Sequence, residues 1–184
     1  DTRNLILDEN YHTTLAFVHT YPDGDRDFSF YRDPGADMML TKEEVQRDLI
    51  ESSRIFHFGT LSSTHEGIRE ATRHAIELAK EAGLQICLDM ASYNIVANDM
   101  EFFSLLINKY VDIVFANEEE AKAFTGKEPK EALGVIAKKC SIAIVKVGAE
   151  GSYIRKGTEE IYRMQKVPMK QKADVTIVSA GGYP

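Results

Sequence analysis

Four short apolar runs, each separated from the next by an amphipathic stretch, constrain the fold of this chain more than any other feature. The stretch between the first two runs repeats alanine and isoleucine at helical spacing and stops at Gly83, which is typical of a helix that ends on glycine. Alternation of this kind predicts an α/β fold with a mainly parallel sheet and helices on both of its faces. The predicted strands are residues 54–58, 84–89, 112–116 and 142–147.

The first forty residues follow a different pattern. Residues 11–18 and 26–32 are rich in β-branched and aromatic side chains, and a Pro-Asp-Gly turn signal lies between them. We therefore predict a β-hairpin at the start of the chain. We divide the chain into the hairpin with its connections, residues 1–40, and an α/β core, residues 41–184.

Composition limits the classes of partner. The net charge is −7 and no basic run stands out, which argues against nucleic acid and against an anionic membrane surface. No apolar run reaches the length of a membrane span, and we see no secretory leader before the first strand. Cys87 and Cys140 lie in apolar surroundings, so we expect two buried free thiols in a reducing compartment, the cytoplasm, with a disulfide as the open alternative.

Parallel strands of such a sheet end at a common edge, and ligands gather there. The predicted strand ends place Gly59, Asp89, Asn117 and Gly148 on that edge, which we call the rim. The rim is therefore where the sequence predicts a binding site.

Residues 117–120, Asn-Glu-Glu-Glu, stand where the third predicted strand gives way to a helix. An asparagine and clustered carboxylates at such a point can hold a cation, water or phosphate. The same residues also suit a helix start, because Asn117 is a good N-cap, Glu120 completes a capping box, and acidic side chains favour the positive end of the helix dipole. Both interpretations stay open on these residues alone.

Three other segments carry residues that can meet a ligand. Residues 145–151 end the fourth strand in a Gly-x-x-Gly turn, where Lys146 can meet phosphate, or they form a plain hairpin turn with a solvated lysine. Residues 179–182, Ser-Ala-Gly-Gly, present amides to an oxyanion or fray as a tail. Tyr31 and Arg32 contact a polyhydroxylated or anionic ligand, or they belong to an apolar sheet face beside a solvated arginine.

Taken in chain order, these segments resemble the ribokinase/PfkB family of sugar and nucleoside kinases over nearly the whole chain. The resemblance implies a ribokinase-like fold in which the hairpin is a lid that covers the sugar and often builds a dimer contact. The matching segments are residues 17–32, Ala36 and Asp37, residues 56–59, Asp89, residues 117–120 and residues 145–151.

The reaction implied by this resemblance is transfer of the γ-phosphoryl group of ATP to a sugar hydroxyl, with Mg²⁺ as the metal cofactor. The resemblance also implies that Asn117 and Glu120 organise magnesium and phosphate, with Glu120 acting on the metal through water. The implied substrate-binding residues are Tyr31, Arg32, Gly59 and Asp89. The implied nucleotide- and phosphate-binding residues are Asn117, Glu120, Lys146, Gly148, Gly151, Ala180 and Gly181.

Two departures from the family pattern bear on activity. The family's N-terminal segment, with a substrate-binding aspartate and a Gly-Gly pair, would precede Asp1. The family's Gly-Ala-Gly-Asp motif supplies an anion hole and the catalytic base, and its nearest match is residues 179–182, so Gly182 stands at the position of the base. We therefore identify no catalytic residue and expect a fragment or a degenerate copy with little turnover.

The resemblance defines the substrate less narrowly than the reaction. Residues 13–89 resemble fructokinases and residues 89–165 resemble nucleoside kinases, so we favour a fructose-like hexose over an adenosine-like nucleoside. A 2-keto-3-deoxygluconate kinase is a further alternative, although Ala91 and Tyr93 stand where many sugar kinases have Asn and Arg. Two other classes stay open: a non-catalytic binding or dimerisation module, and an unrelated dinucleotide-binding enzyme, against which the missing glycine fingerprint argues.

Overall fold

Two β-sheets form the framework of the computed structural model, which describes residues 2–22, 26–159 and 161–164. The larger sheet has six strands in chain order, of which the first four are parallel and the last two antiparallel. This arrangement confirms the predicted mainly parallel α/β fold. The strands are β1 Leu15–Thr20, β2 Arg26–Tyr31, β3 Ile55–Gly59, β4 Gln85–Asp89, β5 Ile113–Asn117, β6 Ile142–Lys146, β7 Ser152–Lys156 and β8 Tyr162–Met164.

The smaller sheet is the predicted hairpin, in which β1 and β2 pair antiparallel. β1 begins at Leu15 and not at Tyr11, because the carbonyl of His12 accepts a hydrogen bond from the backbone N–H of Ala36 (2.9 Å). The chain before β1 is therefore tied to the segment after β2. The tip of the predicted turn, Asp23 and Gly24, lies outside the described residues.

The part of the chain that the structure describes has six α-helices; α1 precedes β3, and the other five connect the parallel strands of the larger sheet. None of these described helices is long and apolar enough to cross a membrane. α3 lies in a segment where the sequence pattern predicted no helix. The helices are α1 Arg47–Glu51, α2 Glu66–Glu81, α3 Tyr93–Asn98, α4 Met100–Tyr110, α5 Glu118–Thr125 and α6 Pro129–Ile136.

One local capping signal predicts more helix than the structure contains. Thr41 and Glu44 favour a continuous helix to about Glu51, and their capping box is present. It closes only a 3-10 turn, because the backbone becomes extended at Val45 (φ −69°, ψ 115°), and α1 begins after that break. A β-branched residue such as Val45 has a weaker preference for helix than straight-chain residues do.

All six helices contribute side chains to a single core on one face of the larger sheet. Alternate strand residues such as Leu88, Val114 and Val145 point into this core and are fully buried. The sequential strand order explains the single layer, since right-handed crossovers that all step the same way place their helices on the same face. In the described residues the helices therefore cover this one face, whereas the sequence predicted helices on both faces. The opposite face carries Ile55, which is 53% exposed, and the half-buried Phe115 and Ile144.

Both cysteines are free thiols, as predicted. Cys87 is buried, whereas Cys140 is half-buried. Burial raises the pKa of Cys140 to about 11, so the thiolate form is disfavoured near neutral pH.

Candidate functional site

The ends of the parallel strands bring the predicted rim residues to one edge of the sheet. Gly59 pairs in register with Asp89, and Asn117 pairs with Lys146 at the ends of β5 and β6. Gly148 follows directly in the turn after β6. The sequence therefore predicted the placement of these residues, while their roles in binding stay predictions.

Asn117 and Glu120 form a complete capping box at the start of α5. The backbone N–H of Glu120 donates to Oδ1 of Asn117 (2.8 Å). In return, Glu120 Oε2 accepts the backbone N–H of Asn117 (2.7 Å), and Oε1 accepts its side-chain amide (2.9 Å). The helix-start interpretation of these two residues is thus confirmed, and it leaves the ligand interpretation in place, because each carboxylate oxygen retains a lone pair.

The carboxyl group of Glu120 is the buried acid of the rim, with only 4% of the residue exposed. Burial raises the pKa of this group, and the hydrogen bond from Asn117 and the positive charge of Lys146 oppose that shift. Nearby Asp89 and Glu119 raise it further. Glu120 therefore senses the charges of two neighbouring strands, and any cation that approaches the rim favours its ionised form.

Lys146 reaches across the end of β5 to Asp89 on β4. Its ammonium nitrogen lies 3.3 Å from Oδ2 and 3.5 Å from Oδ1 of Asp89, in a loose ion pair with both side chains partly exposed. Exposed pairs of this kind contribute little to stability. The ammonium group is therefore able to leave Asp89 for a stronger anion such as phosphate.

The turn after β6 needs glycine for its backbone conformation. Gly148 has φ 51° and Gly151 has φ 98°, both in the region that side chains with a Cβ rarely adopt. The turn leads from β6 into antiparallel β7, as the plain-hairpin alternative expects. A Cβ added to Gly148 would meet nothing within 4 Å, so there is open space beside this backbone for a ligand.

Tyr31 and Arg32 occupy different environments although they are adjacent. The Tyr31 ring is largely exposed and stacks on His12, with the ring centroids 4.4 Å apart. The Arg32 side chain is only 15% exposed, because Asp37, Thr64 and the carbonyl of Leu61 hold its guanidinium group. The solvated-arginine alternative is therefore wrong, and the Tyr31 ring is the more exposed of the two side chains.

The motif analysis missed two features beside the ends of β3 and β4. Thr60 is fully buried and donates its hydroxyl to the carbonyl of Met90 (2.7 Å), which joins the ends of β3 and β4. Ala91 has φ 41°, an uncommon and strained conformation for alanine. Asparagine tolerates this conformation better, and it is the residue that the family resemblance leads one to expect at position 91. That mismatch was the available sequence signal; Thr60 gave none.

Some predicted positions cannot be placed. Ala180, Gly181 and Gly182 lie outside the described residues.

Within the described ranges, no group of three or more His, Cys, Asp or Glu side chains gathers to hold a metal directly. A groove of about 570 Å³ is found between α2 and α4, lined by Arg69, Phe102 and Leu105 among others, and not by the rim residues.

Comparisons with known proteins agree with this architecture. Fructokinase-1 of Oryza sativa subsp. japonica is 32% identical over 187 residues, which cover 96% of this chain and 58% of that protein. The crystal structure of adenosine kinase from Sinorhizobium meliloti has a TM-score of 0.80 at 28% identity, covering 88% of this chain and 49% of that one. An E. coli structure assigned as a ribokinase II, in complex with ATP and Mg²⁺, has a TM-score of 0.74 at 22% identity, covering 89% and 53%.

The chain thus spans between about half and 58% of the length of these three proteins. The structural neighbours show the ribokinase-like fold, and the small antiparallel hairpin sheet is present in the structure of this chain. The family profile described as pfkB family carbohydrate kinase matches residues 1–177. This chain therefore belongs to the pfkB family of carbohydrate kinases.

Proposed function

We propose that this chain carries the lid and the phosphate-handling rim of an ATP-dependent carbohydrate kinase, with a fructose-like hexose as the favoured acceptor. The observation that carries the proposal is the meeting of Asp89, Glu120 and Lys146 at the ends of three adjacent parallel strands. Two carboxylates and one ammonium group lie together at this edge, where Asp89 and Lys146 are partly exposed. Such an edge suits a ligand that brings both a metal ion and phosphate groups.

The residues present fit ATP and Mg²⁺. Glu120 is a buried carboxylate whose two oxygens each accept one hydrogen bond, so it can hold water molecules around a magnesium ion together with Asn117. Lys146 would supply the positive charge for a phosphate oxygen, and the open space beside Gly148 would leave room for the nucleotide. Bound magnesium would neutralise negative charge on the transferred phosphoryl group.

Asp89 and the hairpin are the proposed acceptor side of the site. Asp89 can accept a hydrogen bond from a sugar hydroxyl once Lys146 turns to phosphate, and Gly59 lets the sugar approach the strand end. Tyr31 would close over the sugar from the hairpin. Catalysis would then come from orientation and charge stabilisation.

Turnover by this chain alone is proposed to be low. Gly182 stands where the family has its base, and loss of a general base costs roughly two to four decades in rate. We propose fructose first because of the similarity to rice Fructokinase-1, and adenosine second because of the similarity to the S. meliloti adenosine kinase. ADP release should be assayed with fructose, adenosine and 2-keto-3-deoxygluconate; fast turnover with any of them contradicts the low-activity proposal.

Binding of Mg²⁺ and a non-hydrolysable ATP analogue, measured by calorimetry, tests the rim directly. Lys146→Met should weaken binding about tenfold or more, because a hydrogen bond from a charged donor to phosphate is lost. Lys122→Met is the matched control, since Lys122 lies on α5 in an exposed ion pair with Glu128 (2.9 Å). The proposal fails if both variants bind as the unmodified chain does.

A second function, a dimerisation module, is supported by the apolar surface of the hairpin. Phe17 and Phe30 are 61% and 55% exposed on opposite faces of the hairpin, and Phe28 stacks near Phe30. We propose that residues 1–40 form a separate unit that pairs two copies of the chain in the cytoplasm. Light scattering on Phe30→Ser should show loss of the dimer, whereas Leu105→Ser on α4, which is 64% exposed, should keep it. A monomeric unmodified chain would end this second proposal.

A further inference from the structure

The base of the hairpin is held by one guanidinium group. Arg32 directly follows β2, and its side chain is only 15% exposed, although its neighbours Phe30 and Tyr31 are largely exposed. The strands β1 and β2 pack mainly against each other. The position of the hairpin relative to the larger sheet therefore depends strongly on the contacts at its base.

The guanidinium group first joins the two ends of the hairpin. Its Nε donates to Oδ2 of Asp37 (2.8 Å), and Nη2 lies 2.6 Å from the same oxygen. The other oxygen of Asp37 accepts the hydroxyl hydrogen bond of Thr14, the residue before β1. Asp37 thus links the residue that enters the hairpin to the residue that leaves it.

The same group also reaches the core. Nη1 donates to Oγ1 of Thr64 (3.0 Å), and Nη2 donates to the carbonyl of Leu61 (3.4 Å). Leu61 belongs to the 3-10 turn that begins directly after Gly59 on the rim. One side chain therefore connects the hairpin with the segment that leaves the rim.

The geometry points to Arg32 as a positioning residue that fixes the hairpin to the connection between β3 and α2. Each of its three nitrogens already has a protein partner, and those partners lie on both sides of the junction. The inference rests on the proposed function only in treating the hairpin as the lid of the site.

Hydrogen exchange on the unliganded chain tests this inference, read by mass spectrometry on β1, β2 and the turn Thr60–Ser63. Arg32→Gln should speed exchange roughly tenfold in all three segments, because charge-assisted bonds on both sides are removed. Arg47→Gln is the matched control: it breaks an exposed ion pair with Glu51 (2.9 Å) within α1 and should leave the hairpin unchanged.

Thr64→Val provides a milder variant that removes only a partner on the core side. It should speed exchange in the hairpin although no hairpin residue is altered. Unchanged hairpin exchange in both Arg32→Gln and Thr64→Val overturns the inference, as does weaker fructose binding by Arg32→Gln with unchanged exchange. Because exchange is measured without ligand, the result stands whether or not the chain binds sugar or ATP.

Discussion

Replacing Asn117 by alanine should destabilise the chain by an amount that its contacts allow one to work out. The substitution removes the acceptor for the Glu120 backbone N–H and the donor to Glu120 Oε1. Loss of an N-cap costs about 0.5–2 kcal/mol. Loss of a hydrogen bond to a charged group costs about 1.5–3 kcal/mol, and the burial of Glu120 limits replacement by water.

Together these losses predict about 3 kcal/mol for Asn117→Ala, which corresponds to roughly 6–12 °C in Tm for a chain of this size. Asn117→Ser is the informative partner, because serine still caps the helix but cannot donate to Oε1 from an amide. It should cost about half as much. Urea unfolding followed by circular dichroism gives both free energies of unfolding. A cost below about 0.5 kcal/mol for Asn117→Ala, or equal costs for the two variants, would refute the reasoning.

Four further predictions concern the strained loop, the charges and a thiol. Ala91→Gly should raise the free energy of unfolding by up to about 1 kcal/mol, because φ 41° disfavours a Cβ; a loss of stability in urea unfolding would contradict this. For Asp37, burial alone would raise the pKa, but hydrogen bonds from Arg32 and Thr14 prevail and hold the pKa below its ordinary value. The stability advantage over Asp37→Asn should therefore be complete above about pH 4 and fall as the pH drops through the lowered pKa; an advantage that does not change with pH argues against it. Lys146→Met should raise the pKa of Glu120 further in a carbon-detected NMR titration, because an opposing positive charge is removed, while Lys122→Met should not. Cys140, with its pKa of about 11, should react with iodoacetamide at pH 8 far more slowly in the folded chain than in urea, and equal rates would speak against the burial of this thiol.

The strands of the core could be predicted because their signal is local. Short apolar runs such as the one ending at Asp89 are bounded by helical stretches, and the predicted and observed limits of β3 to β6 agree within a residue. The capping boxes at Thr41 and Asn117 could also be predicted from the sequence, since their partners lie three residues away. The sequence did not predict the break that follows the first box, since the 3-10 turn before Val45 packs against α2, which lies more than twenty residues further along the chain.

The positioning role of Arg32 could not be predicted from the sequence around it. Its core partners, Leu61 and Thr64, lie 29 and 32 residues further along the chain, and nothing in the sequence around Arg32 marks them. The same is true of Thr60, whose partner Met90 is 30 residues away. Rim residues were predictable because parallel strands must end together, whereas side-chain partners from different elements become known only when the fold is known.

The sheet face opposite the helices has a consequence for the behaviour of this chain in solution. This face has an apolar surface that the described helices do not cover, formed by Ile55, Phe115 and Ile144. Mutual repulsion from a net charge of −7 keeps such surfaces of separate molecules apart near neutral pH. Acidification toward the pI of about 5.3 removes that repulsion. The chain should therefore aggregate near that pH while it is still folded.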